Sequence, residues 1–404
     1  MQKFLRDLGL CYPELIPRSS SDRSMRIGID CRTILNPHSG ERAGVGHYVE
    51  GLVSALIERF PKEEFVLYFD YRIGDLAGFT RPNVKVKHFP FSQYGKYLSF
   101  GYSHMLITAY LLKEGLDVLH VPAGSIPLTY PKKVVYTVHD LAIFKHPEWF
   151  PSSFISRSVL VPQTLRKADN LIAVSQSTAK DLRQLFNIKS SKISVIHHGF
   201  DVAKIPLKRR VSETIEKYKL PKRYVLFVGT IEPRKNVEGL MRAFVGLQEK
   251  NPALADVALV IAGQEGYHSE QVMQTMTALK VKRSIRYIGY VTHNEKVELL
   301  RHATAFVFPS FYEGFGLPIL EAMALSVPVI TSKTTSMPEI AERAALFVDP
   351  TSVTDMTRGL REVLTKPDVA KRLHEAGPKQ AAKFSWERCA DQTMAVYKKV
   401  VGKK

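Results

Sequence analysis

The chain has 404 residues, 45% hydrophobic and 24% charged, which fits two or three globular domains and excludes a fibrous or wholly disordered protein. Lys and Arg number 57 against 39 Asp and Glu, a formal +18 spread as +8 over residues 1–204 and +10 over 205–404, so no basic tail carries it. Cys11, Cys31 and Cys389 form no C-x-x-C pair, which excludes a disulfide scaffold or cysteine zinc site, and no apolar run reaches the roughly 20 residues of a membrane span. Sparse cysteine fits a reducing compartment. The positive field favours polyanions such as nucleic acid, phosphorylated ligands or an anionic membrane, unless it is only a well-solvated surface.

Residues 1–24 lack the apolar core and small-residue cleavage site of a secretion signal, and read as an N-terminal extension, with Met25 as an alternative start. Strands are then expected at 26–30, 65–69, 84–88, 118–121, 133–138, 171–174 and 193–197. A second set is expected at 224–228, 258–262, 285–288, 305–308 and 327–330. Many are apolar throughout, as parallel strands covered on both faces are. Helical patterns intervene, for example at 46–59, 236–249 and 317–325. The charged stretch 201–220 breaks the alternation and predicts a boundary near 205. The fold expected is α/β: two Rossmann-like, doubly wound parallel-sheet domains facing across a cleft, at 25–204 and 205–383.

In chain order, the first Gly-rich turn is Ala43-Gly-Val-Gly-His47, with Gly44 and Gly46 opening a helix after the first strand. It is not a dinucleotide fingerprint, because position 49 is Val where G-x-G-x-x-G needs Gly. The segment 91–113 mixes aromatic and aliphatic residues with lysine and reads either as an amphipathic helix for a bilayer or as a core-packing helix. His139 follows a strand in VYTVHD. Ser175 and Gly199 are expected at the cleft-facing strand ends of the first domain.

In the second half, YVLFVGTIEPRKN places Gly229 and Thr230 after a strand and then Arg234 and Lys235 at a helix start. Two cations at the C-terminal end of a strand suit a diphosphate, although adjacent charges are as often simply solvated. Gly263 ends another strand, and Gly289-Tyr290-Val291 a third. FVFPSFYEGFGLPILEAMALSVPVI carries Glu313, Gly314, Phe315 and Gly316 in a loop. Leu317 and Pro318 then open a helix that carries Glu321. Glycines admit a ligand close to the backbone, and a helix start favours an anion. A carboxylate on a mostly buried helix needs donors, which a ribose diol supplies; the alternative is that Glu321 simply lies on an exposed face. Glu339 either caps a helix near this site or is structural.

Together these stretches resemble the retaining glycosyltransferases of the GT-B fold, family 4, from Met25 onward. Glu313-GFGLPIL-Glu321 is the family's E-x7-E element, and VGTIEPRKN is similar to bacterial mannosyltransferases of O-antigen and exopolysaccharide assembly. Thr230 stands where many members carry Arg, so Arg234 and Lys235 are left to neutralise the leaving phosphate.

The resemblance implies catalytic roles for Glu313, His139, Arg234 and Lys235, with His139 over the transferred sugar. It implies donor contacts at Gly44, Gly46, Gly229, Thr230, Gly263, Tyr290, Val291, Gly314, Phe315, Gly316, Leu317 and Glu321, and a last helix, 384–401, that packs back on the first domain. A nucleotide sugar is expected as substrate, GDP-mannose or a UDP-sugar, with a lipid-linked or other saccharide acceptor. The enzyme is expected in the cytoplasm, peripheral on the inner face of an anionic membrane. No cofactor is expected: there is no D-x-D for a divalent metal and no P-loop, so the basic residues replace a metal on the diphosphate. A same-fold epimerase or glycoside phosphorylase would need no lipid acceptor. No nucleic-acid-binding module is present, so nucleic acid is not expected as a partner.

Overall fold

The computed structural model describes residues 24–34, 44–73, 75–89, 100–150, 156–201, 213–278 and 284–402. Nearly all of the expected extension, part of 91–113 and the middle of 201–220 lie outside them.

Seven strands build the first sheet: β1 (Arg26–Asp30), β2 (Glu64–Asp70), β3 (Val84–Phe89), β4 (Val118–Val121), β5 (Lys133–Val138), β6 (Asn170–Ala173) and β7 (Ile193–Val195). Their order is β3-β2-β1-β4-β5-β6-β7. The second sheet holds β8 (Tyr224–Val228), β9 (Ala258–Ala262), β10 (Ile285–Tyr287), β11 (Ala305–Phe308), β12 (Val329–Ser332) and β13 (Ala345–Val348), in the order β10-β9-β8-β11-β12-β13. The pairings β1–β2 and β8–β9, like β11–β12, are parallel. Strand order reverses between β1 and β4 and again between β8 and β11. In open α/β sheets such reversals place ligands at the carboxyl ends of the strands.

Composition explains the layers. β8, β9 and β11 are buried at every residue, as strands covered on both faces must be. β3, VKVKHF at a sheet edge, is only partly buried, and its lysines, exposed at 85 and half-buried at 87, both pair with the buried Glu114 carboxylate. β13 is a strand that the sequence reading lacks: it is four residues long and follows a polar turn, so little periodicity marks it. β12 starts at Val329, two residues later than expected. Val327 donates its N–H to the Ala322 carbonyl in the helix-ending turn, and Pro328 has no N–H to give a ladder.

Two compact units emerge. One contains Met1–Thr137, Leu160–Leu171 and Ala390–Lys404; the other contains Val138–Val159 and Ile172–Cys389. In the first, the end of helix Trp386–Val401 is fixed by two contacts. Asp391 accepts both arms of the Arg59 guanidinium at 2.7–2.8 Å. Buried Tyr397 bonds His120 Nδ1 through its hydroxyl at 2.6 Å, and His120 Nε2 meets Thr137 at 2.9 Å. Helix Phe100–Leu112 buries Thr108 and Leu111 and leaves Met105 exposed. No described helix is long and apolar enough to cross a membrane.

Candidate functional site

The second unit contains the second switch point, and most expected site residues gather there. Gly229, Gly263 and Gly289 end β8, β9 and β10 side by side: the Gly229 N–H donates to the Ala262 carbonyl and the Gly263 N–H to that of Gly289. A Cβ on Gly263 would lie 1.9 Å from the Gly229 carbonyl oxygen, and φ there is +149°, so only glycine fits. Thr230 is half-buried beside Gly266.

After β8 the chain makes a 3-10 turn, Pro233–Lys235, and helix Val237–Lys250 begins behind Asn236. Asn236 takes φ +55° and its amide donates to the carbonyls of Pro309 and Pro350, which ties this turn to the end of β11. Lys235 is thereby turned inward. Its Nζ lies 2.6 Å from Glu313 Oε1 and 4.8 Å from the Phe308 ring centroid. Arg234 reaches Glu313 Oε2 at 3.1 Å and clasps Glu232 through Nε and Nη2 at 3.0 and 2.8 Å. Two cations and two carboxylates therefore form one balanced cluster in which Glu313 is shared. Burial pushes the Glu313 carboxyl up, but Lys235 and Arg234 outweigh it, so it lies below the usual range and stays ionised. Burial likewise depresses Arg234, yet Glu313, Glu232 and Asp140 hold it above its ordinary value.

The loop carrying Glu313 is seated on the segment after β5. A Cβ on Gly314 would fall 1.8 Å from the His139 carbonyl oxygen. The Leu141 N–H donates to the Tyr312 hydroxyl, which donates at 2.7 Å to Asp181, itself paired with Lys145. Ser336 donates to the carbonyls of Glu313 and Phe315. Phe315 packs against His198 at 4.4 Å, and the His139 ring meets His198 edge-on at 5.5 Å. Burial, with His139 and His197 nearby, holds His198 well below the ordinary imidazole range, so it is neutral. His139 and Glu313 thus belong to one packed ensemble. Gly316, at φ +107°, caps helix Leu317–Ala324, with Leu317 at its first position.

Glu321, half-buried on that helix, lies 2.5 Å from Lys296 Nζ. It is neither simply exposed nor unpartnered. Tyr290 is 57% exposed, whereas the Val291 side chain is part of the core and leaves only its main chain to a ligand. Gly44 and Gly46 begin helix Gly44–Arg59, which belongs to the other unit.

Two placements differ from the sequence reading. Ser175, expected at a cleft-facing strand end, is fully buried and caps helix Gln176–Phe186 by accepting the Thr178 N–H. Gly199, expected at such an end too, is filled by Trp386, whose backbone would lie 2.5 Å from a Cβ there. Glu339, expected either to cap a helix or to be structural, does cap one: it takes the Gln176 N–H at the start of Gln176–Phe186 on both oxygens at 2.9 Å and meets His197 Nε2 at 2.6 Å. Sequence reasoning missed Tyr312, Asn236, His198 and Lys296. The first two lie inside quoted motifs; His198 is marked only by the doublet before Gly199, and Lys296 by nothing. Among the described residues, no group of three His, Cys, Asp or Glu side chains is placed to hold a metal.

Two parallel α/β sheets with an acid–base cluster at a strand-order reversal define a class. Sucrose-phosphate synthase from Thermosynechococcus elongatus superposes with a TM-score of 0.74 at 20% identity, covering 94% of this chain and 100% of that one. The fold is GT-B. A family model described as glycosyl transferases group 1 matches residues 210–380, and one described as glycosyltransferase family 4 matches 42–204. The O-antigen chain mannosyltransferase B of Escherichia coli is 32% identical over 375 residues, 88% of this chain and 96% of that protein. A glycogen synthase of Mycobacterium tuberculosis is 30% identical over 293 residues, 70% of this chain and 68% of that one. The chain belongs to glycosyltransferase family 4 and is a hexosyltransferase.

Proposed function

We propose that the enzyme transfers mannose from GDP-mannose, with retention, to a lipid-linked saccharide in cell-surface polysaccharide synthesis. The observation that carries this reading is Glu313 shared between Arg234 and Lys235 at the β8/β11 switch point, in a chain about one-third identical to an O-antigen mannosyltransferase. Domain boundaries near 205 and a peripheral location on the inner face of the cytoplasmic membrane belong to the same proposal; the +18 charge supports the latter.

In this reading Arg234 and Lys235 stabilise the departing diphosphate, aided by the backbone N–H groups of Gly316 and Leu317. Glu321 holds the ribose. His139 and Glu313 hold the sugar as positive charge develops on its ring. The acceptor attacks on the face the diphosphate leaves, and a leaving phosphate oxygen takes the acceptor proton. No metal takes part. A second reading, a UDP-sugar donor and glucosyl transfer, is favoured by the likeness to a glycogen synthase.

The test is a panel of GDP-mannose, UDP-glucose, UDP-GlcNAc, UDP-galactose and ADP-glucose, with NAD as control, read by thermal shift and by slow donor hydrolysis without acceptor. GDP-mannose alone should raise the melting temperature and release its sugar. A response confined to UDP-glucose would replace the first reading with the second, and a response to NAD alone would end both.

A further inference from the structure

Glu321 and Lys296 form a close pair distinct in its partners from the Glu313 cluster. Lys296 Nζ and Glu321 Oε1 are 2.5 Å apart, with 21% and 19% of the two side chains exposed. The lysine lies on helix His293–His302, which begins at Thr292 directly after Gly289-Tyr290-Val291. Glu321 lies on helix Leu317–Ala324, which begins directly after the Glu313 loop. The pair therefore bridges the two helices that follow β10 and β11.

A carboxylate has about four acceptor sites, and the ammonium engages Oε1, so Oε2 is left for further donors. The ammonium fixes the plane in which the remaining lone pairs of the carboxylate point. His293, on the same helix, is held below the ordinary imidazole range by burial and by Lys296, so it adds no competing charge at neutral pH.

We propose that Lys296 is a positioning residue for the ribose of the donor nucleotide: by holding Glu321, it sets how strongly the site distinguishes a ribonucleoside diphosphate from its 2′-deoxy counterpart. The proposal rests on the reading of Glu321 as the ribose-binding group. An oriented carboxylate takes two hydroxyl donors from the diol. A 2′-deoxy ligand leaves one acceptor site unfilled. A carboxylate free to rotate would lose most of that discrimination.

The experiment is calorimetric titration of the full-length protein with GDP and 2′-deoxy-GDP, and in parallel UDP and 2′-deoxy-UDP. Wild type should prefer the ribo ligand by about tenfold or more, the scale of one hydrogen bond to a charged group. Both Glu321→Gln and Lys296→Met should bring the ratio to within about threefold, and Lys296→Arg should restore most of it. Because both ligands are measured on one sample, partial unfolding cancels from the ratio. Lys296→Gln serves if the methionine variant does not fold. If Glu321→Gln keeps the preference, or wild type has none, the ribose reading of Glu321 falls. If Glu321→Gln loses the preference while Lys296→Met keeps it, the ribose reading stands and the role of Lys296 is refuted.

Discussion

Lys235 is 8% exposed and meets Glu313 at 2.6 Å, while Arg234 divides its guanidinium between Glu313 and Glu232. Under the proposed function, a phosphate arriving at these cations competes with Glu313 for them. Lys235→Ala should then lower kcat by roughly 10²-fold or more, the usual scale of a lost charge on a developing anion. Glu313→Gln should lower kcat as well, yet bind free nucleoside diphosphate at least as tightly as wild type, because the competing anion is gone. Steady-state kinetics together with product titration decides between this and a purely structural Glu313, whose loss would weaken both. Glu313, Arg234 and Lys235 were legible because each lies in a contiguous motif of glycine, proline and charge. Lys296 was not legible. It stands in HNEKVELLRH, where one lysine among charged neighbours reads as solvated, and only the fold brings it to Glu321, 25 residues on.

Helix His293–His302 depends on its cap. Thr292 accepts the Glu295 N–H, and Glu295 returns a carboxylate to the Thr292 N–H at 2.8 Å, while Lys217 and the Tyr218 hydroxyl bond the same acid. Burial raises the Glu295 carboxyl, but these donors outweigh it and bring it down to about 2. A depressed carboxyl stabilises the fold above its unfolded value of about 4.3, and that contribution is lost as the pH falls toward 2. Urea denaturation of Glu295→Gln against wild type should show a deficit of about 1 kcal/mol at pH 7 that narrows below about pH 4 and closes toward about pH 2. An equal deficit at both pH values would contradict the assignment to the ionised cap. Elements such as β8, β9 and β11 were legible because an apolar run of four or five residues between turn signals has few other uses. β7 ended at Val195 rather than 197, and β13 escaped notice, because short strands beside polar turns carry too little pattern to mark their ends.

At the scale of the whole molecule, the last helix returns residues Ala390–Lys404 to the unit that holds β1–β4, and Tyr397 reaches His120 in β4 there, a contact between residues 277 positions apart. Removing the hydroxyl with Tyr397→Phe takes a buried hydrogen bond away from His120 and should cost about 1–3 kcal/mol in global stability, with the urea m-value unchanged. A loss below 0.5 kcal/mol, on the scale of an ordinary surface substitution, would show that the contact is dispensable.

Gly263 and Gly314 are closed to any side chain, since a methyl group would fall 1.9 Å from the Gly229 oxygen and 1.8 Å from that of His139. Wherever the site presents these residues, it presents peptide groups that no codon change can decorate. Under the proposed function, selection acting on donor preference, natural or in a mutant library, has flanking positions to vary: exposed Tyr290, half-buried Thr230 and the Glu321–Lys296 pair. A library that randomises the glycines should yield misfolded clones, and one that randomises the flanks should yield enzymes with altered nucleotide taste.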